Sequence, residues 1–292
     1  MKSKGSVLIV VLWLLFFLGM LALAINKYVF SQLDLAAKLK NRAKVYYLAA
    51  AAGKLAMLEV DKNKEAVYDA LNDAWSSSNN PAREIILADG SFKYEITDEE
   101  SKININTAPE WLLKNLFLNL AQVDEKEAGA SAAAIIDWRK NNGSFRVKEE
   151  LLLVKGITQE IYARFQDEIT VYSSGMLNIN TMDKVVLSSL GLESSLVDRI
   201  ISFRQGSDAK AGTSDDNIFN NSAMILSLLA QSEKLSEGQR RQLGDILSSG
   251  FIGVRSLNFM ARARGYYGHA KAAALIVFVF DRDKIIKYWS QL

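Results

Sequence analysis

An uninterrupted apolar stretch close to the N-terminus constrains this chain more than any other feature. Residues 6–25 contain no charged residue and no proline. As an α-helix, a stretch of this length extends about 30 Å, which matches the hydrocarbon thickness of a membrane. A secretory signal peptide has a shorter apolar region followed by a small-x-small cleavage site, and residues 26–29 contain no such site. The sequence therefore predicts a transmembrane helix over residues 6–25, and a plain N-terminal anchor is one interpretation of it.

The helix is predicted to continue beyond the apolar stretch, because no proline occurs before Pro81. Apolar or small residues also recur every seven positions, as expected for one face of a helix. These residues are Val29, Ala36, Ala43, Ala50 and Met57. We predict a continuous helix to about residue 60 and a second short helix over residues 64–75.

Two groups of strand patterns are separated by about 150 residues of helical pattern. The first group lies on both sides of Asp89-Gly90, a dipeptide typical of two-residue hairpins. The second group consists of alternating residues at 257–263, an apolar run at 272–280, a turn at 281–283 and a last strand at 285–289. We predict one antiparallel sheet that packs on the long helix, with an all-helical domain inserted between its strands.

The helical segment contains an internal repeat. The sequence KININT at residues 102–107 is followed by IIDWR at residues 135–139. The sequence LNINT at residues 177–181 is followed in the same way by IISFR at residues 200–204. Thr107 and Thr181 are predicted to be helix N-caps. Direct contact of these segments with a ligand is the alternative.

Residues 102–171 resemble the helix-hairpin-helix module of competence-type DNA receptors and DNA repair proteins. DNA-binding versions use a Gly-x-Gly turn whose N–H groups contact phosphate. Here the turns read Gly156-Ile157-Thr158 and, in what we interpret as the second copy, Gly191-Leu192-Glu193. Residues 101–206 contain 12 Lys plus Arg and 13 Asp plus Glu. Because phosphate contacts require positive charge, we expect no nucleic acid partner.

The composition excludes several kinds of site. The chain has no cysteine and one histidine, His269, so it forms no disulfide framework and no Cys/His zinc site. We interpret His269 as a turn or edge residue. We find no nucleotide-binding loop, catalytic triad or dinucleotide fingerprint.

The first five residues, MKSKG, form a short basic leader that ends in Gly5 immediately before the apolar stretch. This arrangement resembles the type III signal of pilins and pseudopilins. The resemblance implies that a prepilin peptidase cuts after Gly5 and methylates the new N-terminus at Ser6. Most pilins have a glutamate five residues into the mature chain, where this sequence has Val10. That difference suggests a subunit at the filament tip.

These features together resemble general secretion pathway protein K, the large minor pseudopilin of type II secretion. The likeness covers essentially the whole chain and includes residues 136–139, 150–156, 177–181, 211–216 and 254–256. It implies an α+β, pilin-like fold whose long N-terminal helix packs on an antiparallel sheet. An all-helical domain with helix-hairpin-helix-like repeats interrupts this sheet. The predicted domains are a leader (1–5), a transmembrane helix (6–25), a pilin-like part (26–100), an insert (101–250) and a second pilin-like part (251–292).

The resemblance also implies a role and partners, and it implies that the protein is not an enzyme. The protein would lie at the tip of a pseudopilus that exports folded proteins across the outer membrane. Its partners would be the other minor pseudopilins, the major pseudopilin, prepilin peptidase and the inner membrane, with most of the chain in the periplasm. The alternatives are a membrane-anchored DNA-uptake receptor and a minor pilin of a type IV pilus.

An acidic loop at residues 207–217 is the candidate metal site. Asp208, Asp215 and Asp216 supply carboxylate oxygens, which Ca²⁺ prefers, and Gly212 permits a tight turn. Calcium binding in the helical domain of the resembled family supports this interpretation. The spacing is not that of an EF-hand, and a solvated acidic loop explains the same residues.

Overall fold

A computed structural model describes residues 4–76, 83–87, 89–121, 123–268 and 272–292. Helix α1 (Lys4–Lys62) is followed by strands β1 (Arg83–Leu87) and β2 (Gly90–Asp98). The last three strands are β7 (Asn258–Tyr267), β8 (Ala272–Asp281) and β9 (Ile286–Gln291). At 1.5 Å per residue, α1 is about 90 Å long. This arrangement confirms the predicted long helix, hairpin and C-terminal strands.

The five long strands form one antiparallel sheet in the order β1-β2-β7-β8-β9. The hairpin between β1 and β2 pairs Leu87 with Gly90. The predicted hairpin is therefore present, but Gly90 is the first residue of β2 and not part of the turn. Strands β2 and β7 are neighbours in the sheet although about 160 residues separate them in the chain. The segment between them is therefore an insertion into a single sheet, which confirms the predicted fold class.

The C-terminal half of α1 packs against the sheet at very close range. Its inner face presents small residues, of which Ala49, Ala52 and Ala56 are completely buried. On the sheet, Gly265 of β7 lies so close to α1 that a methyl group added to it would be 2.2 Å from the carbonyl oxygen of Val45. The C-terminal half of α1 and the five-stranded sheet, together called the body, form a helix-on-sheet layer. Their close packing depends on residues without bulky side chains.

The insert has its own elements and its own apolar core. It contains strands β3 to β6 and helices α2 to α8, with a π-helical turn at Phe117–Ala121 and 3₁₀ segments at Lys148–Leu153 and Ser222–Met224. The strands are β3 (Ile103–Asn104), β4 (Ile169–Thr170), β5 (Leu177–Asn178) and β6 (Ile252–Gly253). The helices are α2 (Glu110–Leu116), α3 (Glu125–Asn142), α4 (Gln159–Phe165), α5 (Lys184–Ser189), α6 (Ser194–Arg204), α7 (Ile225–Ser232) and α8 (Glu237–Ser248).

The two copies of the internal repeat have the same architecture. Each begins with a short strand that pairs in parallel with a strand at the end of the copy, β3 with β4 and β5 with β6. Helices α2 and α3 of the first copy correspond to α5 and α6 of the second. The second copy ends at β6, a few residues beyond the predicted boundary at residue 250.

Equivalent side-chain contacts fix the alignment of the two copies. The amide of Asn106 donates to the carbonyl of Phe145 (2.9 Å) and accepts from its N–H (2.8 Å). Asn180 makes the same two bonds with Phe219, both at 2.9 Å. In this alignment Gly156 precedes α4, whereas Gly191 lies between α5 and α6. Our pairing of these two glycines as equivalent turns was therefore wrong.

Two further local predictions were wrong. The predicted N-caps Thr107 and Thr181 do not cap helices, since α2 begins after Pro109 and α5 is capped by Asp183. Residues 63–76 form turns in place of the predicted second helix. The Asp73 carboxylate accepts the N–H of Ala70 (2.9 Å), a local bond that competes with helix formation. His269 lies outside the described residues.

Candidate functional site

The first half of α1 is an exposed apolar stem. All residues from 7 to 40 are exposed, including Trp13 and Phe17, and the helix contains a window with a mean hydropathy of 3.0. This makes it a candidate single-pass membrane anchor. Val10 lies on the same exposed helix, and residues 5 and 6 belong to its first turns. The chain therefore has an apolar surface that this protein alone does not cover.

The stem surface continues along the body as a groove between α1 and the last strand. Leu39, Ala43 and Tyr47 line it from α1, and Gln291 lines it from β9. Tyr47 is 70% exposed and Leu39 is 58% exposed. An apolar helix face beside a sheet edge is suited to packing against another helix.

Three consecutive acidic residues, Asp98, Glu99 and Glu100, are buried where the chain leaves β2 and enters the insert. The exposed fractions of these three residues are 3%, 1% and 0%. Burying a charge is costly unless it is hydrogen-bonded or paired, so this tripeptide needs specific partners. It finds them on both sides of the junction between body and insert.

Asp98 connects the body to the second repeat. Its carboxylate accepts hydrogen bonds from the Thr181 hydroxyl, the Ser256 hydroxyl (2.6 Å) and the Asn178 amide (3.4 Å). The N–H of Glu100 also donates to it at 2.8 Å. Asn178 and Thr181 belong to the second NINT segment. These two residues therefore attach the insert to the body.

Glu99 and Glu100 bond in two other directions. Glu99 forms an ion pair with Lys102 (2.8 Å) and accepts the Thr170 hydroxyl of the first repeat. Glu100 accepts the N–H of Ser174 (3.0 Å) in the linker between the repeats. It also accepts the N–H and the side-chain amide of Asn258 at 2.9 and 2.8 Å, at the start of β7.

A buried ion pair completes the junction. Both oxygens of the Asp69 carboxylate accept from the Arg282 guanidinium, and the residues are 0% and 8% exposed. Arg282 also donates to the carbonyl oxygens of Ser256 (2.7 Å) and Asn63 (3.1 Å). The pair joins the segment after α1 to the turn after β8.

Sequence reasoning missed this cluster. The residues come from separate parts of the chain. Of these parts, the second NINT segment, with Asn178 and Thr181, stands out in the sequence, but as a repeat and not as part of a junction. One signal was available: three successive acidic residues directly follow a strand pattern and directly precede the first NINT segment. Because the core of the body and the core of the insert meet at this point, the three acidic residues lie where water is excluded.

The two asparagines that anchor the repeats lead to a direct prediction. Asn180→Ala leaves the buried N–H and C=O of Phe219 without their partner, and we expect it to lower the free energy of unfolding by about 2–3 kcal/mol. Chemical denaturation followed by far-UV circular dichroism measures this. The matched control is Asn142→Ala at the exposed end of α3, for which we expect a change below about 0.5 kcal/mol. Equal losses at both positions would contradict the assignment.

The acidic loop does not gather its three carboxylates into one ligand set. Asp215 accepts hydrogen bonds from Ser207, Asp208 and Thr213, and Asp216 accepts the N–H of Gly212 (2.7 Å). Hydrogen bonds from Ser207 and Thr213 lower the pKa of Asp215.

Asp208 bonds within the same loop, where its carboxylate accepts the N–H of Lys210 (2.8 Å). Among the described residues, no group of three or more His, Asp or Glu side chains is arranged to hold a metal ion. The residues as placed here do not fit a calcium cage of six to eight oxygens. Calcium binding stays a prediction, which titration of the protein with Ca²⁺ tests.

Comparisons with known proteins agree with this architecture. Residues 98–170 match the model of the helix-hairpin-helix motif family. A chain in the crystal structure of the GspK-GspI-GspJ complex, from the type 2 secretion system of enterotoxigenic Escherichia coli, superposes with a TM-score of 0.60. The alignment covers 89% of this chain and 97% of that chain at 16% sequence identity. The chain has a GspK-like pilin fold. A search of curated proteins finds no match.

The family model covers only the first copy of the repeat, at residues 98–170. The second copy, which ends at β6, repeats the same strand pairing and the same asparagine contacts. The helix-hairpin-helix unit is therefore present twice in the GspK-like insert.

Proposed function

We propose that the protein is a minor pseudopilin of a type II secretion system that lies at the tip of the pseudopilus. In this role it initiates or caps the filament through which folded proteins are exported. The stem of α1 lies in the inner membrane before assembly, and the body and insert lie in the periplasm. The other minor pseudopilins and the major pseudopilin are its partners.

The observation that carries this proposal is the combination of an uncovered stem and a bulky insert on one sheet. The exposed apolar stem and the groove beside it are surfaces for neighbouring helices. The insert occupies more than half of the chain and extends from the body between β2 and β7. A subunit stacked above would meet this insert, whereas a tip position leaves it free. The complex in the superposed structure, which contains GspK, GspI and GspJ, supports partners of the same kind.

Co-purification with candidate partners tests the proposal. The full chain is co-expressed with the other minor pseudopilins of the same type II system and isolated in detergent. We expect a complex of fixed stoichiometry. Leu39→Asp places a charge in the groove and should weaken the complex about tenfold or more. Leu153→Asp, at an exposed position in the insert, is the matched control and should leave it intact. Labelling of this subunit along the filament shaft would contradict the tip position.

Processing by prepilin peptidase is a separate prediction. We expect mature protein from cells with this enzyme to begin at Ser6 with an N-methyl group. Mass spectrometry of the N-terminal peptide measures this, and cells without the peptidase are the control. An intact Met1 in both strains would contradict this prediction and favour the interpretation of residues 6–25 as a plain N-terminal anchor.

A further inference from the structure

Two of the four buried carboxyl groups at the junction have no cation as a direct partner. Asp69 has the Arg282 guanidinium as its partner, and Glu99 has the Lys102 ammonium group. Asp98 and Glu100 have no such partner: among the described residues, the hydrogen bonds to their carboxyl oxygens all come from hydroxyl, amide or backbone N–H groups. If both were ionised, the junction would contain two adjacent buried negative charges, neither of them in direct contact with a cation.

The geometry around Asp98 accommodates a proton without leaving a polar atom unpaired. The oxygen of Asp98 that meets Ser256 at 2.6 Å also meets the Thr181 hydroxyl. A hydroxyl group either donates or accepts, so each of these contacts persists when the carboxyl group itself carries the hydrogen. Asn178 donates to the Ser256 hydroxyl (2.8 Å) and supports this arrangement. A carboxyl group held by N–H donors alone would lack this option.

Other charged groups face this pair from each neighbouring element. The segment after α1 supplies Asp69 and Asp73, the turn after β8 supplies Arg282, and the entry to the insert supplies Glu99 and Lys102. Lys287 of β9 approaches Glu100 only through the Asn258 side chain. Lys148 of the 3₁₀ segment lies near Glu99 and Lys102, and its ammonium group donates to the carbonyl oxygen of Gln166. Arg282 and Lys102 form ion pairs with Asp69 and Glu99.

We propose that the Asp98–Glu100 pair retains one proton in the folded protein at neutral pH and serves as a proton-linked clasp between the insert and the body. Burial and the neighbouring Glu100 carboxyl raise the pKa of Asp98, in agreement with this geometry. Burial also raises the pKa of Glu100, against the effect of hydrogen bonds from Asn258 and Ser174. Because the charge of each carboxyl group opposes ionisation of the other, we assign the proton to the pair and not to either residue.

The direction of the pH effect follows from the raised pKa values. The folded state binds a proton that the unfolded state releases at about pH 4, so the stability that this pair contributes is highest at low pH and falls as the pH rises. Loss of the proton places a second negative charge beside the first and weakens the attachment of the insert. The clasp is therefore tighter in acid.

Infrared spectroscopy of the full chain in detergent micelles tests the proposal directly. The measurement is made at about pH 7, where ordinary carboxyl groups are ionised, in a Glu168→Gln background, because the pKa of Glu168 is raised to about 7. We expect the C=O stretching band of a protonated carboxylic acid. The band should be lost when Asp98→Asn or Glu100→Gln is added and kept when Asp137→Asn, an exposed control, is added. No band in the Glu168→Gln protein, or a band that survives in both variants, would overturn the proposal.

A second measurement does not depend on those variants folding. The unfolding equilibrium of the full chain is measured from about pH 5 to 7 in a Glu168→Gln background, because burial and Asp183 raise the pKa of Glu168 to about 7. We expect the unfolding constant to rise about tenfold for each pH unit, the dependence of one proton. A constant that does not change over this range would contradict a retained proton.

Discussion

Replacing Gly265 by alanine should lower the free energy of unfolding by about 3 kcal/mol or more. The added methyl group would lie 2.2 Å from the carbonyl oxygen of Val45 and 2.6 Å from the backbone nitrogen of Ala49. Both atoms belong to the backbone of α1, so no side-chain rotation relieves the contact. The helix must move away from β7, and the packing of Ala49 and Ala52 against the sheet is lost.

Gly129→Ala is the matched control, because it makes the same change in α3 where a methyl group meets no atom within 4 Å. Alanine restricts the conformations of the unfolded chain and favours a helix. We therefore expect the free energy of unfolding of this variant to rise by about 0.5–1 kcal/mol. Thermal unfolding of the full chain in detergent, followed by circular dichroism, measures both variants. A neutral Gly265→Ala variant would show that α1 does not approach the sheet this closely.

The close contact at Gly265 has a functional consequence. The stem continues directly into the part of α1 that packs on the sheet, so the position of the sheet along α1 determines where the body lies relative to the stem. Small residues of α1 and of β7 allow the helix and the sheet to pack so closely that one added methyl group would displace them. A Gly265→Ala subunit that still folds should therefore assemble poorly, even though its stem is unchanged.

Much of the fold was predictable because its signals are local. The apolar N-terminal stretch, the hairpin near Asp89-Gly90 and the apolar run of β8 each lie within a single short segment. The interruption of the sheet was also predictable, because strand patterns occur on both sides of a long helical pattern. The failed helix at residues 64–75 shows the limit: its composition suits a helix, but the Asp73 side chain bonds to the backbone and Asp69 is held by Arg282.

The repeat illustrates a different limit. Its NINT sequences were visible, but the role of the asparagines was not. Asn106 and Asn180 hold the backbone of Phe145 and Phe219, each 39 residues further along the chain. Thr181 was predicted to cap a helix, and it instead contacts Asp98 across the junction. Such partners are brought together only by the tertiary fold, and no local pattern indicates them.

The second large effect is expected at the buried ion pair. Asp69→Asn removes the negative charge that balances the Arg282 guanidinium, which is largely excluded from water. Removing one partner of a buried pair typically costs about 3–5 kcal/mol, because the other charge remains buried and uncompensated. The cost should appear in urea denaturation as a lower midpoint.

The comparison variant is Asp61→Asn, whose partner Lys284 is 2.8 Å away in a solvent-exposed pair. We expect its midpoint to stay close to that of the unaltered protein, because water screens exposed pairs.

A double-mutant cycle separates the ion pair from the other bonds of Arg282. Arg282→Met alone also loses the bonds to Ser256 and Asn63, so it should cost at least as much as Asp69→Asn. In the double variant neither charge remains buried, and the combined loss should be smaller than the sum of the two single losses by about 2 kcal/mol or more. Strict additivity would mean that Asp69 and Arg282 contribute independently. In that case the pair would not be what holds the segment after α1 against the turn between β8 and β9.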